Sequence, residues 1–167
     1  MPPTIILMGV SGSGKSVIGQ KLAQRLGGTF DDGDDFHPAA NKAKMSTGTP
    51  LTDEDRWPWY ATLRQRILDM RGKTPVHIVG CSALKAIYRD RLRGEDDASQ
   101  IVFVLLDGSR ELITERMAAR KGHFMPLSLL ESQLTTLEIT PDLVRVSIDA
   151  PPNEIVESIV GRLTSKV

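Results

Sequence analysis

Three groups of residues have the types and spacing for chemistry on a phosphorylated ligand. Gly9-Val10-Ser11-Gly12-Ser13-Gly14-Lys15-Ser16 fits G-x-x-x-x-G-K-[ST], the Walker A pattern. Its glycines let successive backbone N–H groups turn inward without Cβ clashes, and a following helix would add positive potential where polyphosphate oxygens sit. Lys15 is expected to reach the β/γ-phosphates and Ser16 to ligate magnesium. A turn that merely joins strand to helix needs neither residue. The second group is the acidic turn Asp31-Asp-Gly-Asp-Asp35, in which Asp32 and Asp34 flank Gly33. Beside a phosphate cradle, one carboxylate can hold magnesium-bound water and the other can take a hydrogen bond from an acceptor hydroxyl, which phosphoryl transfer requires. A solvated acidic turn is the plain alternative. The third group is Arg116 and Arg120, spaced i, i+4 and followed by Lys121, so that their charges share one helix face. Cations favoured by a helix C-terminus would look the same without any ligand.

The elements that must position these groups alternate. Thr4 to Val10 is an almost wholly apolar run ending at the loop, as a strand buried on both faces reads. From Lys15 the spacing of Val17, Ile18, Leu22 and Leu26 predicts a helix stopped by Gly27-Gly28. A strand is expected at Thr29 to Asp32, then short helices and turns from His37-Pro38 through Met45. Asp53 is expected to cap a longer helix with Trp59, Leu63, Ile67 and Met70 on one stripe, ending near Gly72. Strands at Val76 to Val79, Ile101 to Leu106 and Val144 to Ile148 then interleave with helices at Ala83 to Arg93, Ser109 to Arg120 and Asn153 to Leu163. This order predicts a three-layer α/β/α domain with a doubly wound parallel sheet, and a ligand site at the strands' carboxyl ends.

Length and composition narrow the class. The 167 residues suit one domain over 1–167. With 40% apolar and 25% charged residues, the chain can bury a substantial core, which excludes intrinsic disorder. Lys plus Arg and Asp plus Glu both number 21, so the basic footprint of a nucleic-acid binder is missing. The single cysteine, Cys81, cannot form an intrachain disulfide, and no Cys/His cluster has zinc-ligand spacing. The apolar stretch Ile5 to Met8 is far below the roughly 20 residues that span a bilayer, and no targeting segment is visible. A cytoplasmic protein with no membrane partner is expected. Guanine specificity is disfavoured, because the nearest string to N/T-K-x-D, Asn41-Lys-Ala-Lys44, lacks the aspartate and lies too early.

Taken together, the strings resemble the gluconokinases, a small P-loop carbohydrate-kinase family related to shikimate and nucleoside-monophosphate kinases. The resemblance covers most of the chain. It rests on Gly9 to Ser16, Asp32-Gly-Asp34 with His37-Pro38 and Asn41, Lys44-Met45 with Gly48, Pro50 and Leu51, and Asp53-Glu-Asp-Arg56 with Pro58-Trp59. It continues through Cys81-Ser-Ala-Leu-Lys85 with Tyr88-Arg-Asp90, and Arg120-Lys-Gly-His-Phe124.

The resemblance implies transfer of the ATP γ-phosphoryl group to the C6 hydroxyl of D-gluconate, with Mg²⁺ as cofactor and a homodimer as the assembly. Gly9, Val10, Ser11, Gly12, Ser13, Gly14, Lys15 and Ser16 would hold MgATP, Asp32 would support the magnesium with Ser16, and Asp34 would orient the acceptor hydroxyl. Arg56, Lys85 and Arg89 are the candidates for the substrate carboxylate, which calls for a bidentate or paired cation. His37 could bond a sugar hydroxyl or equally cap local backbone, and Ser82 is expected at a strand end facing the acceptor pocket. A mobile lid at about 121–135 would bring Arg116 and Arg120 onto the transferring group and exclude water, which makes Arg120 a catalytic candidate with Lys15 and Asp34. Other expected readings are a kinase for another small acceptor, such as shikimate, and a non-catalytic ATP-binding module.

Four features read as structural. Asp107 follows an apolar strand as a Walker B aspartate would, but a turn or helix-start role suits it better. Trp57, Trp59 and Tyr60 are expected to pack the helix they begin, and Cys81 to be inert. Leu137-Glu-Ile-Thr-Pro141 is one residue longer before its proline than the family's Leu-Glu-x-Pro, which marks the local loop as a departure.

Overall fold

The first strand, β1 (Thr4–Met8), is buried at all five residues and is shared between two cores: Ile5 and Leu7 point into one, Ile6 and Met8 into the other. A strand whose two faces are both covered needs no polar alternation, which is why its sequence is uniformly apolar. The structure, a computed structural model, describes residues 3–119 and 127–164, with the side chains of 127–129 left aside.

Along the chain, β1 is followed by α1 (Lys15–Leu26), β2 (Thr29–Asp32), a 3-10 turn (Gly33–Phe36), α2 (Ala39–Ser46), α3 (Asp53–Met70) and β3 (His77–Gly80). Then come α4 (Ala86–Arg93), β4 (Ile101–Asp107), α5 (Arg110–Ala119), α6 (Leu127–Thr136), β5 (Val144–Ser147) and α7 (Pro152–Thr164). The five strands are all parallel, in the order β2-β3-β1-β4-β5. β1 is central, and the chain continues to β2 and β3 on one side of it and to β4 and β5 on the other. Its carboxyl end is the switch point at which ligands bind in such sheets, and there the Gly9–Ser16 loop begins.

One face of the sheet is covered by α1, α5, α6 and α7, through Ile18, Leu22, Ile113, Leu130, Ile155 and Ile159. On the other face, α3 and α4 bring Trp59, Tyr60, Leu63, Ile67, Tyr88 and Leu92 against Val79, Phe103 and Leu105. Each fully buried leucine or isoleucine stabilises the fold by about 1.5–3 kcal/mol. This is the expected three-layer architecture.

Several local expectations are corrected. Val17 is 46% exposed, and the buried stripe of α1 is Ile18, Gly19, Leu22 and Ala23. Gly19 must be small there, because an added Cβ would come within 2.2 Å of the Phe30 ring. The N-cap of α3 is Thr52 rather than Asp53: the Thr52 hydroxyl accepts from the Asp55 N–H at 3.2 Å and the Asp55 carboxylate accepts from the Thr52 N–H at 2.9 Å. This reciprocal box leaves the Asp53 carboxylate to accept from Arg56 and Tyr88. The fourth helix begins at Ala86 instead of Ala83, because Ala83 has a φ of 42°, outside the helical region. Of the lid expected at about 121–135, residues 121–126 lie outside the described residues and the rest falls in α6, Leu127–Thr136. A cavity of about 860 Å³ is lined in part by Pro3, Ala98, Ile101 and Leu163 near the amino ends of β1 and β4, and in part by Ala86, Arg89 and Thr140.

Candidate functional site

The loop after β1 is built for close packing. Gly9 has a φ of 148°, and a Cβ there would come within 2.9 Å of the Ser13 hydroxyl and 3.1 Å of the Leu106 carbonyl. Ser13 is fully buried, and among the described residues its hydroxyl has no hydrogen-bond partner. Gly12, with a φ of 83°, lies under Met117 of α5. Gly14 adopts the left-handed conformation at the N-cap of α1, so the loop feeds directly into a helix N-terminus. Val10 is buried in the core, so it offers the site only its backbone. The Lys15 ammonium donates to the carbonyls of Gly9 at 2.9 Å and Val10 at 3.2 Å, which folds it back over the loop.

The second half of the site is attached to the first by one hydrogen bond. The Ser16 hydroxyl donates to Asp32 Oδ2 at 3.1 Å, and Asp32 Oδ1 accepts the Asp34 N–H at 3.0 Å as cap of the 3-10 turn. Ser16, Asp32 and Asp34 are thereby brought together as expected. Among the described residues no group of three or more His, Cys, Asp or Glu could hold a metal ion. A hydroxyl beside a carboxylate is nevertheless the sparse donor set that magnesium takes when phosphate oxygens and water complete its shell.

Asp34 projects from the turn with its side chain 80% exposed. Its pKa is raised, first by desolvation among the surrounding protein atoms and then by the charges of Asp32 and Asp35, with Lys15 opposing. His37 is buried against Trp59, with ring centroids 3.8 Å apart. Burial, helped by Lys42 and Arg56, lowers its pKa to about 4, so it is neutral at pH 7. The Asn41 amide donates to His37 Nδ1 at 3.2 Å, which leaves the proton on Nε2, 3.8 Å from the Asp34 carboxylate.

A cationic cluster gathers around Tyr88. The Arg56 guanidinium stands 5.1 Å and the Lys85 ammonium 5.7 Å from the centroid of the Tyr88 ring. Asp53 accepts from the Tyr88 hydroxyl at 2.6 Å and from Arg56 at 3.2 Å. Arg56 and Lys85 thus stand on one aromatic ring, with only Arg56 paired to Asp53, and two cations converging in this way suit an anionic group. Ser82, half-buried, follows β3 on the same loop as Lys85. Arg89, the third expected cation, is used differently: it is 1% exposed and donates to the carbonyls of Ala83, Leu84 and Glu138. A guanidinium enclosed by carbonyls holds the loop together and is not presented to a ligand. Arg116 donates to the Ile148 carbonyl at the carboxyl end of the sheet. Arg120 lies outside the described residues, as do His123 and Phe124.

Asp107 pairs with Arg145 at 2.7 Å, as suits a structural residue between β4 and β5. Cys81 is buried, and that burial pushes its thiol up to about 12, so it is inert. Three contributors were not legible in the sequence. The Trp59 indole donates to the Gly33 carbonyl at 2.8 Å and braces the turn that carries Asp34. Gln133 Oε1 accepts the Ser11 N–H at 2.7 Å, occupying a donor of the phosphate loop, and Glu138 accepts the Ala86 N–H at 2.8 Å. None of these contacts joins neighbours in sequence, so no local pattern announces them.

Comparison with known proteins adds a common theme. Residues 5–139 match the family model described as an AAA domain. The thermosensitive gluconokinase of Escherichia coli (strain K12) is 47% identical over 150 residues, which span 87% of this chain and 79% of that protein. The gluconokinase of Gluconobacter oxydans (strain 621H) is 45% identical over 166 residues, 95% of this chain and 90% of that one. The crystal structure of a gluconokinase from Sinorhizobium meliloti 1021 superposes with a TM-score of 0.87 at 47% identity, covering 98% of this chain and 93% of that one.

Proposed function

The chain belongs to the gluconokinase family of P-loop kinases, and from that premise we propose how its residues phosphorylate gluconate. The reaction is ATP-dependent transfer to D-gluconate, giving a phosphogluconate and ADP. The observation that carries the residue-level reading is the short chain of bonds from Ser16 through Asp32 to Asp34, which fixes an acceptor-side carboxylate to the phosphate loop.

In this reading the N–H groups of residues 9–16 and the Lys15 ammonium bind the β- and γ-phosphates. Arg56 and Lys85 bind the gluconate carboxylate beside Tyr88, with Ser82 on the same loop and neutral His37 donating from Nε2 to a substrate hydroxyl. That places the far end of the substrate, C6, toward Asp34. The C6 oxygen attacks the γ-phosphorus, its proton passes to the Asp34 carboxylate, and the bond from the γ-phosphorus to the bridging oxygen breaks as ADP leaves. The raised proton affinity of Asp34 suits an acceptor of that proton. Ser16 and Asp32 would hold Mg²⁺, which supplies charge neutralisation on the phosphates when bound. Arg116 and Arg120 complete the proposal as cations for the transferring group.

The single buried cysteine supports work in a reducing cytoplasm, and no helix among the described residues is long and apolar enough to cross a membrane. A homodimer is proposed from the family resemblance. The zero net charge supports a small-molecule substrate over nucleic acid.

The test is ADP release by the purified protein with Mg²⁺ and ATP across gluconate, shikimate, neutral sugars and nucleoside monophosphates. A rate that requires gluconate supports the proposal. Turnover with another acceptor alone, or nucleotide binding without acceptor-stimulated turnover, overturns it.

A further inference from the structure

The helix that carries part of the cationic cluster does not cap itself. The backbone N–H groups opening α4 need acceptors, yet its N-cap is Lys85, whose side chain supplies none. The acceptor comes from the connection between α6 and β5: Glu138 Oε1 takes the Ala86 N–H at 2.8 Å across 52 positions of sequence. The Glu138 N–H in turn donates to the Leu84 carbonyl at 2.8 Å. Arg89 completes the clamp, with Nη1 on Ala83 and Leu84 at 2.9 and 3.2 Å, and Nη2 on the Glu138 carbonyl and Thr140 hydroxyl at 2.8 and 3.3 Å. The enclosed loop includes Ala83 with its φ of 42°, a conformation that a residue with a Cβ keeps only when its surroundings impose it. Leu137, the residue before Glu138, packs against both cores and fixes the connection to the body of the fold.

We propose that Glu138 is a positioning residue for gluconate: by capping α4 at Ala86 it fixes the backbone of Lys85, and so where that ammonium stands to meet the substrate carboxylate. This rests on the reading of Arg56 and Lys85 as the carboxylate site. It also gives the Leu137-Glu-Ile-Thr-Pro141 string a function, since that stretch supplies both the cap and two acceptors for Arg89.

The test is steady-state kinetics in both substrates for Glu138→Ala, Glu138→Gln and Lys85→Ala, with the double variant Lys85→Ala/Glu138→Ala. Loss of the cap in Glu138→Ala is expected to raise KM for gluconate about tenfold while kcat and KM for ATP stay within about twofold. Glu138→Gln keeps an oxygen acceptor at the same reach and should restore KM for gluconate to within about twofold of the parent. The double variant should be no worse than Lys85→Ala alone, because both changes remove one interaction. If Glu138→Ala does not fold, Glu138→Asp, one methylene shorter, should show an intermediate KM for gluconate with KM for ATP unmoved. The proposal is overturned if KM for gluconate is unchanged in Glu138→Ala, if both KM values rise together, or if Glu138→Gln is as impaired as Glu138→Ala. An unchanged KM for gluconate in Lys85→Ala overturns the carboxylate site itself, and that variant alone reveals it.

Discussion

The indole Nε1 of Trp59 donates to the main-chain oxygen of Gly33 at 2.8 Å, and this one bond ties the core of α3 to the turn that presents Asp34. Gly33 packs directly against β3, where no side chain fits: a Cβ on it would stand 2.5 Å from the Gly80 carbonyl. The turn is therefore held between the end of β3 and a buried aromatic.

Trp59→Phe keeps an aromatic ring against His37, removes the donor and leaves a small void in the core. The Gly33 carbonyl is then buried without its partner, at a cost of about 1–3 kcal/mol. Thermal denaturation should show a lowered Tm, and kcat/KM for gluconate should fall further than the affinity for ADP. Equal losses in both would contradict the bracing role.

Asp34→Asn preserves shape while removing the proton acceptor. The expected result is a kcat lower by roughly 10²–10⁴-fold, with ADP affinity measured by calorimetry changed by less than about threefold. A variant that loses nucleotide affinity in step with turnover would show that Asp34 acts on the nucleotide rather than on the hydroxyl.

Gln133 holds the Ser11 N–H, a donor that a phosphate oxygen would also use. Gln133→Ala removes that competitor, so MgADP should bind about 3–10-fold more tightly, the equivalent of one net hydrogen bond. Titration calorimetry decides it, and weaker binding would make Gln133 a contributor to the nucleotide site instead.

His37 makes stability depend on pH. Its pKa is lowered from an ordinary value of 6.5 to about 4, chiefly by burial. Between those values the unfolded chain binds a proton that the folded one does not, so stability falls as pH drops through this window and levels off below it. At full extent the loss is on the order of 3 kcal/mol. Urea midpoints from pH 7 to 4 should decline, and less steeply in His37→Gln. His77, also lowered mainly by burial although Asp31 bonds it at 2.7 Å, keeps part of the slope in that variant. Parallel slopes in parent and variant would contradict the assignment.

Legibility in the sequence followed the range of the interactions. The bounds of β2 at Thr29–Asp32 and the burial of Leu63 and Ile67 could be read because periodicity and turn residues act over a few positions. The phosphate loop could be read because its chemistry lies in eight consecutive residues. Thr52 was displaced as cap by its neighbour Asp53, since both types cap helices and only geometry separates them. Arg89 looked like a ligand-binding cation because its type is right. What removes it from the cleft is a set of carbonyls from Ala83, Leu84 and Glu138, which spacing does not reveal. Trp59, Gln133 and Glu138 act through backbone groups 26, 122 and 52 positions away, so their roles belong to the fold rather than to any motif.

The most direct test of the account is the position of the new phosphate ester, read by ³¹P NMR of the product formed from ATP and D-gluconate carrying ¹³C at C6. The account predicts a phosphorus resonance split by coupling to the labelled C6, in an amount equal to the ADP formed. A phosphate on another carbon, or inorganic phosphate in place of an ester, would contradict the placement of the C6 hydroxyl at Asp34.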